Sequence, residues 1–576
     1  DRSPSRGLGD VYKRQGDAVA KDAKFETGVS FGSTGADEPY SSLTDKDGNY
    51  YISGMCRGDV EFAGGATIKG RGGMDAVIVK YDAELNFLWA RAVGGSKDDT
   101  FERIAVTSAG DIVAVGKISG DITIDGTDQT LSGTQSTDGC IVVYDKDGNY
   151  KSSAWIKAAG ASLCYSVAVD KSDNIFVTGS TVGATDFGNE KTVTIEGSNP
   201  GTFLACYNNS LVCQWAIAGS SPVQSYGWAV NFDKEENILL TGRFGTTFTI
   251  TGTDGEALTT AVGSESSQDT YVAKLSHEGV GQWITYVTNS NRIDTRSIDS
   301  DSQGNVYIWG HCQSAVTPEG QSPLGFNGNF DSFLIKYSSA GAYLDGMNLG
   351  GSGRDEAKSL FVDADDNIYV AGNVNGDGSK GGTAVNMNPR GESKDYTFKG
   401  HDGYVAKYNG STWELMQLEK TVTPDNANQH EVAWCVTMSP DYNKVYVTGY
   451  FNNGATVFDG ASLTLPFVQD YDIYTVLYSY TLMVKTKTLE PGVANEPYYS
   501  NIVVDNVEGA VKFEIVSGTL PDGITLSKDG AFAGTPTKNG PYTFTVKISD
   551  DVSSIQKEYT LVIKSGEGCD VFIVTD

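Results

Sequence analysis

The sequence predicts an all-β chain in which a ring of repeated antiparallel sheets precedes a separate β-sandwich, and three observations carry that expectation. First, a segment of polar turn residues, a β-branched or aromatic run and a glycine recurs seven times, closing on Gly54, Gly116, Gly179, Gly242, Gly310, Gly372 and Gly449. Those glycines are spaced by 62, 63, 63, 68, 62 and 77 residues, a period near 66 that marks a repeat array. Second, 69 glycines, 30 tyrosines and only 15 prolines in 576 residues suit short strands and tight turns, and no heptad or long helical period competes. Third, the texture changes from about Lys487, where alternating strands are split by Gly/Pro turns, as in a sandwich.

Taken in order, residues 1–16 match neither the repeat nor a signal peptide, since they lack an apolar core segment. They are expected to be a non-native, disordered leader, so the missing signal is no argument for the cytoplasm. Residues 17–486 carry the repeats. In the third, Tyr165–Val169 forms an inner strand, Asp170–Asp173 turns, and Asn174–Gly179 forms a second strand. After a long Gly/Thr-rich connection, Thr202–Tyr207 and Val212–Ile217 supply a third and an outer strand. Alternation is weak along these runs, as expected where both faces of each sheet are packed by neighbours. Seven units of four antiparallel strands, each sheet apolar on both faces, predict a seven-bladed β-propeller. The last unit lacks an outer strand after Asp472–Ser479, whereas Lys24–Phe31 precedes the first inner strand without a partner. The expectation is that 24–31 completes the last blade. Residues 487–566 are read as an Ig-like β-sandwich and 567–576 as the start of a truncated further module.

The third-strand segments are equally regular, as in Asp75–Asp82, Asp138–Asp145, Asp269–Leu275, Asp331–Tyr337 and Asp402–Tyr408. Together with the glycine-closed segments they resemble the SBBP β-propeller repeat family, whose units join an AVD..GN.YVTG segment to a DAFVAKYD..G...W segment. That resemblance implies a propeller in bacterial, often surface-exposed, proteins and no enzymatic activity. Glu496–Tyr499, Val516–Leu526 and Gly534–Val546 resemble the He_PIG immunoglobulin-like module of bacterial surface proteins.

A net charge of −30 and a pI near 4.5 repel phosphate backbones and anionic headgroups, so nucleic acid and membrane insertion are not expected. Eight scattered cysteines show no CxxC pair. Cys206 and Cys213 flank the turn Tyr207–Ser210 and are the candidate disulfide. No phosphate loop, dinucleotide fingerprint, HExxH or nucleophile elbow is present, and the four histidines lie in separate repeats or loops. No catalytic residue, metal site or cofactor is therefore expected. The Asp/Asn/Gly turns superficially resemble calcium loops, but turn chemistry demands the same residues.

One position does not repeat. Aligning the inner strands places Tyr40, Glu102, Tyr165, Tyr226, Arg296, Lys358 and Trp434 at the start of the innermost strand, one per unit. Packing positions should recur, so this mixed rim is the candidate ligand site, suited to a glycan or an extended peptide. The long connections between second and third strands, notably 373–401, are expected to wall it. Trp89, Trp155, Trp215, Trp283 and Trp413 recur in the outer strands and are read as packing. The leading expectation is a monomeric, secreted or cell-surface bacterial protein that binds a glycan or extracellular protein, with an Ig-like spacer. The alternatives are a polysaccharide lyase or hydrolase using Arg296, Lys358 and Glu102, and a structural stalk or adhesin segment presenting another domain.

Overall fold

The computed structural model describes residues 23–565 except 128–129, 132–136, 262–267, 376–382, 394, 399–400, 423–429, 453–455, 459–460, 464, 466–467, 469, 481, 485, 487, 506, 508 and 551–553. The expected leader and the expected start of a further module lie outside the described residues. Strands dominate; a 3-10 turn at Ala63–Gly65 is the one helical element among the described residues. No helix is long and apolar enough to cross a membrane among them. Residues 27–477 form one compact unit and residues 478–565 with 23–26 belong to another.

Among the described residues of the first unit, seven sheets carry four or more strands. The third runs Ser162–Val169, Ile175–Thr181, Gly201–Tyr207 and Cys213–Ser220 from inside to outside, all antiparallel. The seventh runs Glu431–Met438, Lys444–Phe451, Asp472–Ser479 and Lys24–Phe31. Each inner strand touches the next, from Glu38–Thr44 through to Glu431–Met438, which touches Glu38–Thr44 again. The seven inner strands therefore close on themselves. Both faces of each sheet are buried, as Val113, Val115 and Ile141 of the second sheet pack with Val167, Ile175 and Phe203 of the third. This packing is why the second and third strands show no polar alternation.

The turns between inner and second strands recur in detail. Asp170 Oδ1 accepts the amides of Ser172 and Asn174 at 2.8 and 2.7 Å, while Asn174 Nδ2 donates to Oδ2 at 2.7 Å. Asp45, Asp233, Asp301 and Asp363 are bound by their own loops in the same way. Asp173, at φ 62°, reaches back to the preceding turn and accepts from the amide and hydroxyl of Ser108 at 2.7 and 2.6 Å. At the outer end, Trp89 Nε1 donates to Lys146 O at 3.1 Å, and Trp283 Nε1 to Ser339 O at 3.1 Å. A Cβ on Gly148 or Gly341, both at positive φ, would lie 2.8 or 2.7 Å from these indoles. Trp89, Trp215 and Trp283 thus pack on the glycine turn of the next sheet.

Two expectations are corrected. Cys206 and Cys213 are buried free thiols. The ladder pairs Cys206 with Trp215 and Cys213 with Tyr207 across a bulge. Cys206 packs toward the fourth sheet and Cys213 toward the second, so they lie on opposite faces of their hairpin. The described parts of the long connections also run outward rather than walling the axis, residues 376–382, 394 and 399–400 of the 373–401 connection lying outside the described residues. Thr247–Thr251 and Ala257–Ala261 of the fourth repeat extend the outer edge of the third sheet, and the second, third, fifth and seventh repeats extend their neighbours similarly. In the sixth, Val385, Met387 and Phe398 pack with Met347, Leu349 and Trp413. An outer strand has unpaired backbone groups, and these segments cover them.

The second unit holds a sheet of Gly492–Val493, Ser554–Lys564, Gly540–Ser549 and Lys512–Gly518, and one of Tyr498–Asn501, Ala531–Gly534 and Ile524–Leu526. Phe532, Phe544, Val546, Ile548, Leu561 and Ile563 form its core.

Candidate functional site

The site is built by one backbone device repeated seven times. Every inner strand carries a β-bulge, so one residue in each has no partner in the ladder: Tyr40, Glu102, Tyr165, Trp228, Arg296, Lys358 and Trp434. A bulge re-aims the side chain it carries. The glycine that closes each repeat sits opposite, because the bulging strand brings a carbonyl onto it. A Cβ on Gly54, Gly116, Gly179, Gly242 or Gly449 would lie 2.0, 1.9, 1.9, 1.8 or 1.7 Å from the carbonyl oxygen of Glu38, Thr100, Leu163, Tyr226 or Val432. Glycine at that position is therefore a requirement of the bulge, and the bulge points a residue at the axis.

Six of the seven expected rim residues occupy bulges. Tyr226 does not: it stands two residues earlier, paired with Arg243, and Trp228 takes the bulge. Counting five residues back from the turn carboxylate gives Tyr40 from Asp45, Tyr165 from Asp170 and Trp228 from Asp233, so the signal was present in the sequence. Tyr226 remains beside the site, stacked on Trp228 at 5.6 Å between ring centroids.

The side chains converge on one mouth. Tyr165 lies 4.4 Å from Trp228, and Tyr40 lies 5.5 Å from Trp434. Arg243 covers Tyr226 at 4.8 Å, Arg296 covers Trp228 at 5.4 Å, and Lys358 covers Trp434 at 4.1 Å. The rings thus pack on one another and on cations rather than standing open as a platform. One layer up, Asp294 pairs with Arg243 at 3.1 Å and Arg292 at 2.7 Å, and Glu356 pairs with Arg354 at 2.6 Å and Lys358 at 2.7 Å. The floor is set by the residue after each bulge, small in six sheets (Ser41, Ser166, Ala229, Ser297, Ser359, Cys435) and Arg103 in the second. Arg103 spans the axis and donates to Arg296 O at 3.4 Å.

Electrostatics follow from this crowding. Burial raises Glu102 above the usual carboxylate range, against the opposing pull of Thr100, Lys117, Arg296 and Arg103. Burial would also raise Asp294 and Glu356, but the His311 hydrogen bond with the fields of Arg296 and Arg243 outweighs it at Asp294, and Lys358, His311 and Arg354 outweigh it at Glu356, holding both well below that range. His311 and Lys358 are lowered, chiefly by burial. Around the mouth, seven cations (Arg103, Lys117, Arg243, Arg292, Arg296, Arg354, Lys358) act on four carboxylates (Glu38, Glu102, Asp294, Glu356), an excess of positive charge in a chain of net −30. Sequence reading missed Arg103, Arg243, Asp294 and Glu356, which lie within five residues of a bulge or closing glycine.

The fold and this mouth together define an all-β repeat protein with a lined axis. Residues 156–188 match the family model of the SBBP β-propeller repeat. Residues 475–564 match He_PIG, described as "Putative Ig domain". The chain therefore carries β-propeller repeats followed by an Ig-like domain. It is 21% identical over 435 residues to an uncharacterized WD repeat-containing protein of Acanthamoeba polyphaga mimivirus, covering 62% of this chain and 31% of that protein. It thus spans about a third of that relative's length. Among solved structures, a streptogramin B lyase is similar with TM-score 0.33 and 10% identity, over 78% of this chain and 97% of that one. The cadherin domains 3–6 of protocadherin gamma B2 overlap with TM-score 0.14 and 12% identity, over 69% and 89%. Neither overlap is close enough to bear on function.

Proposed function

We propose that this is a non-enzymatic binding protein whose axial mouth takes a glycan, with the Ig-like domain as a spacer, acting at the surface of or outside a bacterial cell. The observation that carries the reading is the set of seven bulge residues: they converge on one mouth and span five residue types, whereas the packing positions around them repeat. Their guanidinium, ammonium, indole and phenol groups supply the hydrogen-bond donors that a sugar chain requires. Binding rather than lyase or hydrolase chemistry is supported by how the groups are engaged. The Lys358 ammonium is tied to Glu356 at 2.7 Å and Glu102 accepts from Thr100 at 2.7 Å, so neither is poised as a free base. The localisation rests on the family resemblance of both parts. No cofactor enters this reading, and the protein acts as a monomer. Glycan-array screening of wild type, Trp228→Ala and Trp434→Ala tests it: binding is expected to weaken in both variants, and unchanged binding in both refutes the mouth as the site.

A further inference from the structure

The mouth is unusual for what its charges leave over. Asp294 and Glu356 are each paired directly with two other cations, whereas Arg296 acts on Asp294 and Glu102 through its field without touching them: among the described residues its guanidinium makes no hydrogen bond or close ion pair, and its Nε is buried without a hydrogen-bond partner. It lies over Trp228, whose indole Nε1 is likewise buried and unpartnered. Unmade hydrogen bonds of buried donors are costly, most of all for a charged group. Arg103 closes the axis beneath by bonding to the Arg296 carbonyl. Two unsatisfied donor groups, side by side, with positive charge in excess around them, are complementary to an oxyanion.

Resting on the glycan reading above, we propose that the ligand is an acidic glycan, whose carboxylate or sulfate is held by the Arg296 guanidinium and the Trp228 Nε1–H. The aromatic rings then serve to hold the cations in place by cation–π contact, more than to stack on sugar faces. Charge also selects the size of the ligand. A chain of net −30 repels an acidic protein over its whole surface, while a slender sugar chain meets the local field of the mouth alone.

The test is calorimetric titration of the whole chain with a galacturonate hexamer, a sulfated galactan hexamer, a neutral galactan hexamer and a hexaglutamate peptide. At least one acidic sugar is expected to bind at least tenfold more tightly than the neutral one, and less tightly as salt rises; the two acidic arms tell carboxylate from sulfate. Arg296→Gln is expected to weaken that binding by about tenfold to a hundredfold. Trp228→Phe, which removes the N–H but keeps an aromatic ring, is expected to weaken it several-fold, and Lys538→Gln in the Ig-like domain to leave it unchanged. Circular dichroism confirms that each variant is folded. If the neutral hexamer binds as well as the acidic ones and neither mouth variant matters, the acidic assignment is overturned and the glycan reading survives. Binding of hexaglutamate alone, or of none of the four probes, overturns both.

Discussion

The coupling of closing glycine to bulge makes Gly242→Ala the most informative single substitution. Gly242 has an ordinary strand conformation, so alanine is acceptable to its backbone and the penalty is steric. The new Cβ would lie 1.8 Å from Tyr226 O and 2.7 Å from Tyr271 Oη. An ordinary C···O contact is about 3.3 Å, so the inner strand must retreat by about 1.5 Å at Tyr226. That retreat breaks the ladder on either side of the bulge, about two hydrogen bonds at about 1 kcal/mol each. Overpacking adds about 1–2 kcal/mol, and the stiffer unfolded chain returns about 0.5 kcal/mol. The expected net loss is about 3 kcal/mol. Gly188→Ala is the control, with nothing within 4 Å of its Cβ and φ +84°, where the left-handed conformation alone costs about 1 kcal/mol. Guanidinium unfolding followed by tryptophan fluorescence compares the two. A midpoint for Gly242→Ala at or above that of Gly188→Ala would refute the argument that the bulge dictates the glycine.

Other consequences are as direct. Burial raises the loop carboxyls Asp37, Asp99 and Asp355 to about 6, 7 and 7; because the folded state then binds the proton more tightly than the unfolded chain, each adds stability as pH falls from 8 through its folded value toward the ordinary value near 4. Burial lowers His311, His401 and His430 and acts oppositely below about pH 6.5. The readout is therefore the difference between variants: Asp99→Asn should lack a rise of about 2 kcal/mol between pH 8 and pH 5 that wild type shows, and parallel curves would contradict this. Cys206 and Cys213 should both be alkylated by iodoacetamide under denaturing, non-reducing conditions; a cross-linked peptide containing both would be the contrary result. Trp89→Phe removes the bond to Lys146 O and should cost about 1–2 kcal/mol in denaturant unfolding, with no loss counting against the inter-sheet packing. Tyr165→Ser, at an unpaired bulge, should cost far less than Ile175→Ala in the core, about 1 against about 3 kcal/mol, and equal losses would show that the bulge residue is structural.

What was legible in the sequence was what packing and turn chemistry constrain. The glycine-closed segments located the second strands, Asp170 and its counterparts located the turns, and Trp89, Trp155, Trp215 and Trp283 located outer strands, because each must recur wherever the same contact recurs; Trp413 instead lies in the turn before its outer strand, at φ 59°. The site was legible only as a gap in that regularity. Tyr226 was assigned in place of Trp228 because a bulge adds a residue without announcing itself: two aromatics stand two apart, and only counting from Asp233 separates them. Arg243, Asp294 and Glu356 gave no signal, since each is ordinary in its own strand and matters through partners in another sheet. The cysteine pair failed for a related reason. Closeness across a turn does not fix the face of a hairpin when a bulge lies between, and here it places the thiols on opposite faces.

The same bulge explains why so regular a scaffold can carry an irregular site. A residue paired in the ladder is held by two neighbours and must suit the packing on its face, so its identity recurs or is replaced at a cost in stability. The bulged residue is released from that pairing while the residues around it, from the small floor positions to the closing glycine, keep the backbone in place. Seven such positions surround one axis, each free to vary, and their combined chemistry is read by whatever enters the mouth. In this chain the bulge set includes two cations, Arg296 and Lys358 in the fifth and sixth sheets, and one carboxylate, Glu102 in the second. Each is answered by charge from a paired position, Asp294 and Glu356 beside the cations and Lys117 and Arg103 beside Glu102, so the bulge supplies the variation and the ladder residues around it tune its charge.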